Sequence, residues 1–211
     1  MKKEQVKTIY DGKYLKLYDL QYEPGAHYYN ASRREKDRLP ALMTDAEHKA
    51  MLPDAVSCFV VLNVKGEPKR LLLNKEYRYP AGRYLLSVPA GLIDKADYDK
   101  PDAIELTAAR ELYEETGILV ETSDEIRIIN RSVYSTPGMT DECNALVLIL
   151  LNRDSMPEMN HKGAEGSEHF DGFSILTKED AERILVNGQD DEGISYPLYT
   201  WACLMFFLGM A

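Results

Sequence analysis

The chain is poor in what a disulfide scaffold, a membrane protein or a nucleic-acid binder needs. Only three cysteines occur, Cys58, Cys143 and Cys203. They are odd in number and far apart, which excludes a disulfide framework and a zinc site. They read as small buried hydrophobes in a reducing compartment, so the expected location is cytoplasmic. The opening MKKEQVKTIYDG has no apolar core, so it is not a signal peptide. The longest late apolar run, residues 201–210, is too short to span a bilayer and reads as a packed helix. Basic side chains number 25 against 35 acidic ones, a net charge of −10. Nucleic acid needs a basic face, so it is not an expected partner. His27, His48, His161 and His169 show no ligand spacing, and no internal repeat or low-complexity tract is present.

What is there suffices for one domain, or one with a smaller appendage, because 211 residues bury a real core. Residues 7–33 alternate apolar and polar side chains around Asp11-Gly12 and Pro24-Gly25, which predicts two or three antiparallel strands. The charge run from Ser32 to Arg38 reads equally well as a solvated loop or as a cationic arm for phosphate. A short helix is expected over 41–52 with Thr44 as a possible N-cap. The apolar stretch 56–64 predicts a buried strand, and the Lys65-Gly66-Glu67-Pro68 turn returns the chain into a strand over 70–74. Another strand is expected at 85–88.

Further on, strands are predicted over 126–134, 145–151 and 170–176. A turn-rich loop at 135–142 and a polar, glycine-containing, mobile loop at 153–168 separate them. Thr177 is placed to cap a helix running to about Val186, with Asp180 at the capping-box position. A last helix is expected over 196–210. Mixed strands with few helices give an α+β class, with helices on both faces of a sheet.

The stretch 89–118 carries the chemistry. Its second half, Arg110-Glu111-Leu112-Tyr113-Glu114-Glu115-Thr116-Gly117, follows a strong helical pattern that Gly117 is placed to stop. Spacings of three and four bring Glu111, Glu114 and Glu115 side by side. Their mutual repulsion calls for a hard divalent cation, which carboxylate oxygens bind well. Glu-rich helix faces are commonly plain solvated surface. Here, however, Pro89-Ala90-Gly91 can bring backbone carbonyls to the same ion, and Arg110 can orient a carboxylate with its guanidinium fork. The apolar side of this helix is expected to be Leu106, Ala109, Leu112 and Tyr113, with the glutamates left to a cleft.

Gly91, Arg110, Glu111, Leu112, Glu114, Glu115, Gly117 and Ile118 together resemble the Nudix box. Two departures stand out. The spacer after Gly91 is lengthened by residues 95–100, and Asp102 stands where the family has Glu. The resemblance implies an α/β/α sandwich with a mixed sheet over residues 51–211. A small N-terminal antiparallel β segment over 1–50 would precede it. Other stretches are similar to the ADP-ribose pyrophosphatase branch: Tyr28 to Arg33, Tyr77-Arg78-Tyr79-Pro80, Thr136-Pro137-Gly138 to Glu142, and Glu165-Gly166-Ser167-Glu168.

That resemblance implies Mg2+-dependent hydrolysis of the pyrophosphate bond of ADP-ribose or a similar nucleoside diphosphate sugar, giving AMP and ribose 5-phosphate. Mn2+ is a possible substitute. Glu111, Glu114, Glu115 and the Ala90 carbonyl would hold the metal, with Arg110 among the catalytic residues. A general base would come from Glu168 as first choice or Glu142 as second. UDP- or GDP-sugars are the alternative substrates. A non-catalytic nucleotide sensor is the other class, which the intact Arg110, Glu111, Glu114 and Glu115 disfavour. The resemblance further implies a homodimer paired through the N-terminal strands. Tyr28 would stack on adenine, Arg33 would reach the neighbouring cleft, and Arg78 would act within its own subunit. A small sheet with few long apolar runs also gains by packing on a partner, and its exposed edges need cover.

Overall fold

The computed structural model describes residues 1–164, Gly166 and 168–210, and the chain divides into two compact units. One unit is Met1–Asp54 with Arg131–Asn144, and the other is Ala55–Asn130 with Ala145–Ala211. A boundary at residue 50 was expected. The observed first unit runs on to Asp54 and takes in a second segment from mid-chain, which no contiguous reading of the sequence can supply.

The first unit is built on three antiparallel strands, β1 (Val6–Asp11), β2 (Lys16–Glu23) and β3 (Ala26–Ser32), in that spatial order. Pro24-Gly25 closes the second hairpin, pairing Glu23 with Ala26. The core is small: Val6, Tyr18 and Leu39 are buried, with Leu20 and Leu42 packed against them. Helix α1 (Asp45–Ala50) starts at Thr44, whose hydroxyl accepts from the Glu47 N–H while Glu47 reaches back, a capping box. The mid-chain segment joins through Ala31, whose N–H donates to the Met139 carbonyl at 2.9 Å. Arg34 also ties it in, pairing with Asp54 at 2.8 Å and donating to the Asp141 carbonyl at 3.0 Å. Arg34 is therefore a largely buried structural cation within the 32–38 charge run.

In the second unit the chain forms β4 (Ala55–Val64), β5 (Arg70–Arg78), β6 (Arg83–Ser87) and β7 (Ala90–Leu92) before helix α2 (Ala103–Thr116). Strands β8 (Glu125–Tyr134), β9 (Cys143–Arg153) and β10 (Phe170–Leu176) follow, residues 131–134 of β8 and 143–144 of β9 being counted with the first unit, then helices α3 (Lys178–Asn187) and α4 (Leu198–Gly209). The seven strands make one mixed sheet in the order β10-β5-β4-β9-β8, with β6 added on β5 and β7 on β4. The near-continuous apolar runs of β4 and β9 suit strands covered on both faces, and nearly every residue of each is buried.

Alternation along β4 shows what covers them. Cys58 faces α2, its thiol against the Ala108 carbonyl, while its neighbour Phe59 packs on Phe206 of α4 with ring centroids 5.7 Å apart. Successive strand residues point to opposite faces, so α2 and α4 lie on opposite sides of the sheet. This is the expected α/β/α sandwich.

One expectation about α2 is corrected. Leu106 and Tyr113 are 40% and 49% exposed, and Ala109 is half-buried. The buried stripe is Ile104, Ala108, Glu111, Leu112 and Glu115. These recur at the three- and four-residue spacing of one helical face. The stripe includes two acids because partners on the sheet receive them.

Gly117 ends α2 in the left-handed region (φ +74°), donating its N–H to the Tyr113 carbonyl at 2.8 Å. A Cβ there would also stand 2.4 Å from the Asn160 side-chain amide. Gly117→Ala is expected to lower stability by roughly 1–2 kcal/mol, the cost of that backbone region for a residue with a Cβ, read as a lower urea midpoint.

Candidate active site

Helix α2 and the short strand β7 form the centre of the site. Glu111 and Glu115 lie one turn apart on the buried face of the helix, each 4% exposed. Glu115 is held from two sides. One oxygen accepts from the Ala90 N–H at 3.1 Å and the other from the Asn74 side-chain amide on β5. Glu111 lies against Gly91, where a Cβ would stand 2.0 Å from the carboxyl carbon. Only glycine leaves room for that carboxylate, which explains the box glycine in spatial terms.

Arg110 joins these parts. Its Nη1 lies 2.8 Å from Glu111 and 2.8 Å from Glu114, and its Nη2 donates to the Leu92 carbonyl at 2.9 Å. The guanidinium thus fastens α2 to β7 and sits between two carboxylates. Asp94 approaches the same group at 3.5 Å.

Burial controls the electrostatics. Loss of solvent pushes Glu111 up to about 7 against the pull of Arg110, and Glu114 and Glu168 push the same way. Glu115 is raised further from the ordinary carboxylate range, mainly by burial. The Ala90 N–H opposes that shift, while Glu76, Glu111 and Glu168 add to it. Glu76 is 7% exposed and also raised by burial, with the Arg78 guanidinium at 2.6 Å and Ser87 opposing. Five acids therefore share one electrostatic neighbourhood: Glu76, Glu111, Glu114, Glu115 and Glu168.

Sequence reasoning missed Asn74, Glu76 and Ser87. The available signal was period-two alternation: Asn74, Glu76 and Arg78 fall on one face of β5 just after the apolar 71–73 run. Asn74 pairs across to Ser87 on β6.

The residues present fit a hard divalent cation. Every side-chain donor is a carboxylate oxygen, the ligand type that Mg2+ and Mn2+ take. The buried carboxylates are short of positive charge. The Arg110 nitrogen already occupies a cation's place between Glu111 and Glu114. Among the described residues no three acidic, histidine or cysteine side chains converge as a ready-made cluster, because Arg110, Asn74 and Ala90 divide the carboxylates among themselves.

The remaining predicted residues are distributed as follows. Arg78 is on β5 beside Glu76, and Glu168 is exposed just before β10. Its loop neighbours Glu165 and Ser167 lie outside the described residues. Tyr28, Arg33 and Glu142 belong to the first unit. There Tyr28 is 44% exposed on β3, close to Gly138, and Arg33 is paired with Glu142 of the same chain.

The raised Glu111 carboxyl has a consequence for stability. Its folded pKa, about 7, exceeds the ordinary 4.5, so the folded state binds this proton more tightly than the unfolded one. Its contribution is full below pH 4.5 and is lost as pH rises through 7. In chelator, the melting temperature should therefore decline between about pH 4.5 and 7, and Glu111→Gln should flatten that decline. An equal slope in the variant would contradict the assignment.

The chain matches the family model described as NUDIX domain over residues 51–196. It is 31% identical over 174 residues to a Saccharomyces cerevisiae protein named ADP-ribose pyrophosphatase, covering 81% of this chain and 67% of that one. A Mus musculus protein named ADP-sugar pyrophosphatase is 32% identical over 132 residues, covering 63% of this chain. The match spans 56% of the mouse protein's length. A solved structure titled as an ADP compounds hydrolase shares the fold, with a TM-score of 0.52 at 15% identity, covering 96% of this chain and 89% of that one. With the box residues gathered on α2 and β7 and the family model spanning most of the chain, this protein belongs to the NUDIX domain family and is a Nudix hydrolase.

Proposed function

We propose that the chain hydrolyses the pyrophosphate bond of ADP-ribose, or of a closely similar nucleoside diphosphate sugar, in a Mg2+-dependent reaction giving AMP and ribose 5-phosphate. The observation that carries this reading is the buried pair Glu111 and Glu115 with Glu114 beside them, a carboxyl oxygen donor set short of positive charge. The relatives named for ADP-ribose and ADP-sugar hydrolysis support the substrate class.

Glu111, Glu114, Glu115 and the Ala90 carbonyl would hold the metal, with Mn2+ as a substitute. When bound, the ion neutralises phosphate oxygens and acidifies a water. The chain's own residues do the rest. Asn74 and the Ala90 N–H fix Glu115. Arg110 orients Glu111 and Glu114. Arg78, steadied by Glu76, presents a guanidinium suited to a phosphate oxygen. Glu168 takes the proton of the attacking water, with Glu142 as the second candidate.

We further propose a homodimer formed through the first unit. Its sheet leaves Ile9, Tyr10, Tyr22 and Tyr29 each more than half exposed, an apolar surface a partner would cover. In that assembly Tyr28 would stack on the base and Arg33, released from Glu142, would reach the neighbouring subunit's substrate.

A screen of ADP-ribose, UDP-glucose and GDP-mannose with Mg2+ should show ADP-ribose hydrolysed best, with activity lost in chelator. Preference for a UDP- or GDP-sugar would move the substrate, and full activity in chelator would overturn the metal site. Glu115→Gln should lower turnover by orders of magnitude in a folded protein. Glu168→Gln should lower kcat by about 10²–10⁴-fold with Mg2+ affinity nearly unchanged. If Glu142→Gln does so instead, the base is Glu142. Sedimentation of wild type should give a dimer, and a fully active 24.0 kDa monomer would exclude it. Mixing inactive Glu115→Gln with inactive Arg33→Ala chains should restore some activity through hybrid dimers.

A further inference from the structure

We infer that His161 is a positioning residue that latches the acidic loop to the end of α2 and so sets where Glu168 stands. This rests on the reading of α2 as the metal-holding helix and of Glu168 as the base.

The last carbonyls of a helix have no partner within it. In α2 the Tyr113 carbonyl accepts from Gly117, but those of Glu115 and Thr116 are met by a distant stretch. The Asn160 N–H donates to the Thr116 carbonyl at 2.9 Å, and His161 Nδ1 lies 2.6 Å from the Glu115 carbonyl. A carbonyl only accepts, so Nδ1 carries the proton. Two residues on, Gly163 lies so close to the helix that a Cβ would stand 2.6 Å from the Glu114 carbonyl oxygen. The stretch 160–163 is thus seated on the turn that carries Glu114 and Glu115.

The same imidazole also holds the far end of the loop. It stacks on Phe173 (centroids 4.0 Å, planes 23° apart) and on Phe170 (4.7 Å, 11°) of β10. Glu168 is two residues before Phe170. One ring therefore ties the stretch seated on α2 to the start of β10, on either side of Glu168 in sequence. Glu168 stands near enough to Glu76, Glu111 and Glu115 for its charge to disfavour ionisation of all three. The other imidazole nitrogen, Nε2, is buried with no hydrogen-bond partner among the described residues. Packing alone would be better served there by an apolar ring, so the bond to Glu115 is what histidine adds.

The test uses the full chain with Mg2+ and ADP-ribose. His161→Phe keeps the stack and loses the bond to the Glu115 carbonyl. It should lower kcat by about 10–100-fold, part of the roughly 10²–10⁴ a general base contributes, with KM and melting temperature near wild type. His161→Asn places an amide donor where Nδ1 stood and should recover part of kcat. Hydrogen exchange at the Asn160 and Ala164 amides should quicken in the Phe variant, while the first three turns of α2 stay protected. An active wild type with unchanged kcat or unchanged exchange in His161→Phe overturns the latch alone. So does a kcat loss that tracks a fall in melting temperature. A wild type inactive on every nucleoside diphosphate overturns the reading of the site, and the positioning role with it.

Discussion

The second unit depends on keeping two carboxylates on the inner face of a helix. An ionised carboxylate out of water is costly unless charges and hydrogen bonds replace its hydration. The neighbourhood of Glu111 and Glu115 is arranged to supply that replacement in part. Strand β5 turns an amide inward at Asn74 within an otherwise leucine-rich run, β7 offers a backbone N–H at Ala90, and the helix carries its own guanidinium at Arg110. Gly91 is bare because the Glu111 carboxyl fills the space its side chain would take. Compensation is incomplete, as the raised Glu111 and Glu115 carboxyls register. That shortfall makes the place receptive to added positive charge.

The same logic extends outward. The protein is acidic overall, and two arginines near the site are engaged by acids: Arg78 with Glu76, Arg110 with Glu111 and Glu114. Each guanidinium is therefore held in a fixed orientation. An anionic ligand meeting these arginines encounters cations whose geometry is already set, and ordering them costs little further entropy. The proposed chemistry needs that arrangement more than it needs a basic surface.

Most of the fold was legible because periodicity and punctuation agreed. Thr44 and Thr177 both start helices as expected, Thr177 with the capping box its spacing to Asp180 indicated, Gly117 ends α2, and the apolar runs became covered strands. The inward face of α2 was misjudged because Leu106 and Tyr113 look more hydrophobic than Glu111 and Glu115. What decides burial there is the partners available on the sheet, and a one-dimensional pattern cannot weigh those. Asn74, Glu76 and Ser87 went unnoticed for a similar reason, since isolated polar residues in a strand carry no sign of which carboxylate they will meet. His161 showed no ligand spacing because its partners are a backbone carbonyl and two phenyl rings.

The two-segment make-up of the first unit bears on how the chain is born. Arg34 leaves a ribosome long before its partner Asp141, 107 positions later. Until then Asp54 is the guanidinium's acidic partner, and the Ser32 hydroxyl lacks the Asp141 side chain to which it donates at 3.0 Å. The three N-terminal strands, with a core of a few side chains, must therefore wait for their mid-chain segment while strands β4 to β8 and helix α2 are synthesised. Closing a loop of that length is a slow, non-local event. A nascent chain paused before Asp141 would present unpaired strand edges to its surroundings, so vulnerability during synthesis lies at the N-terminus although the chemistry lies elsewhere.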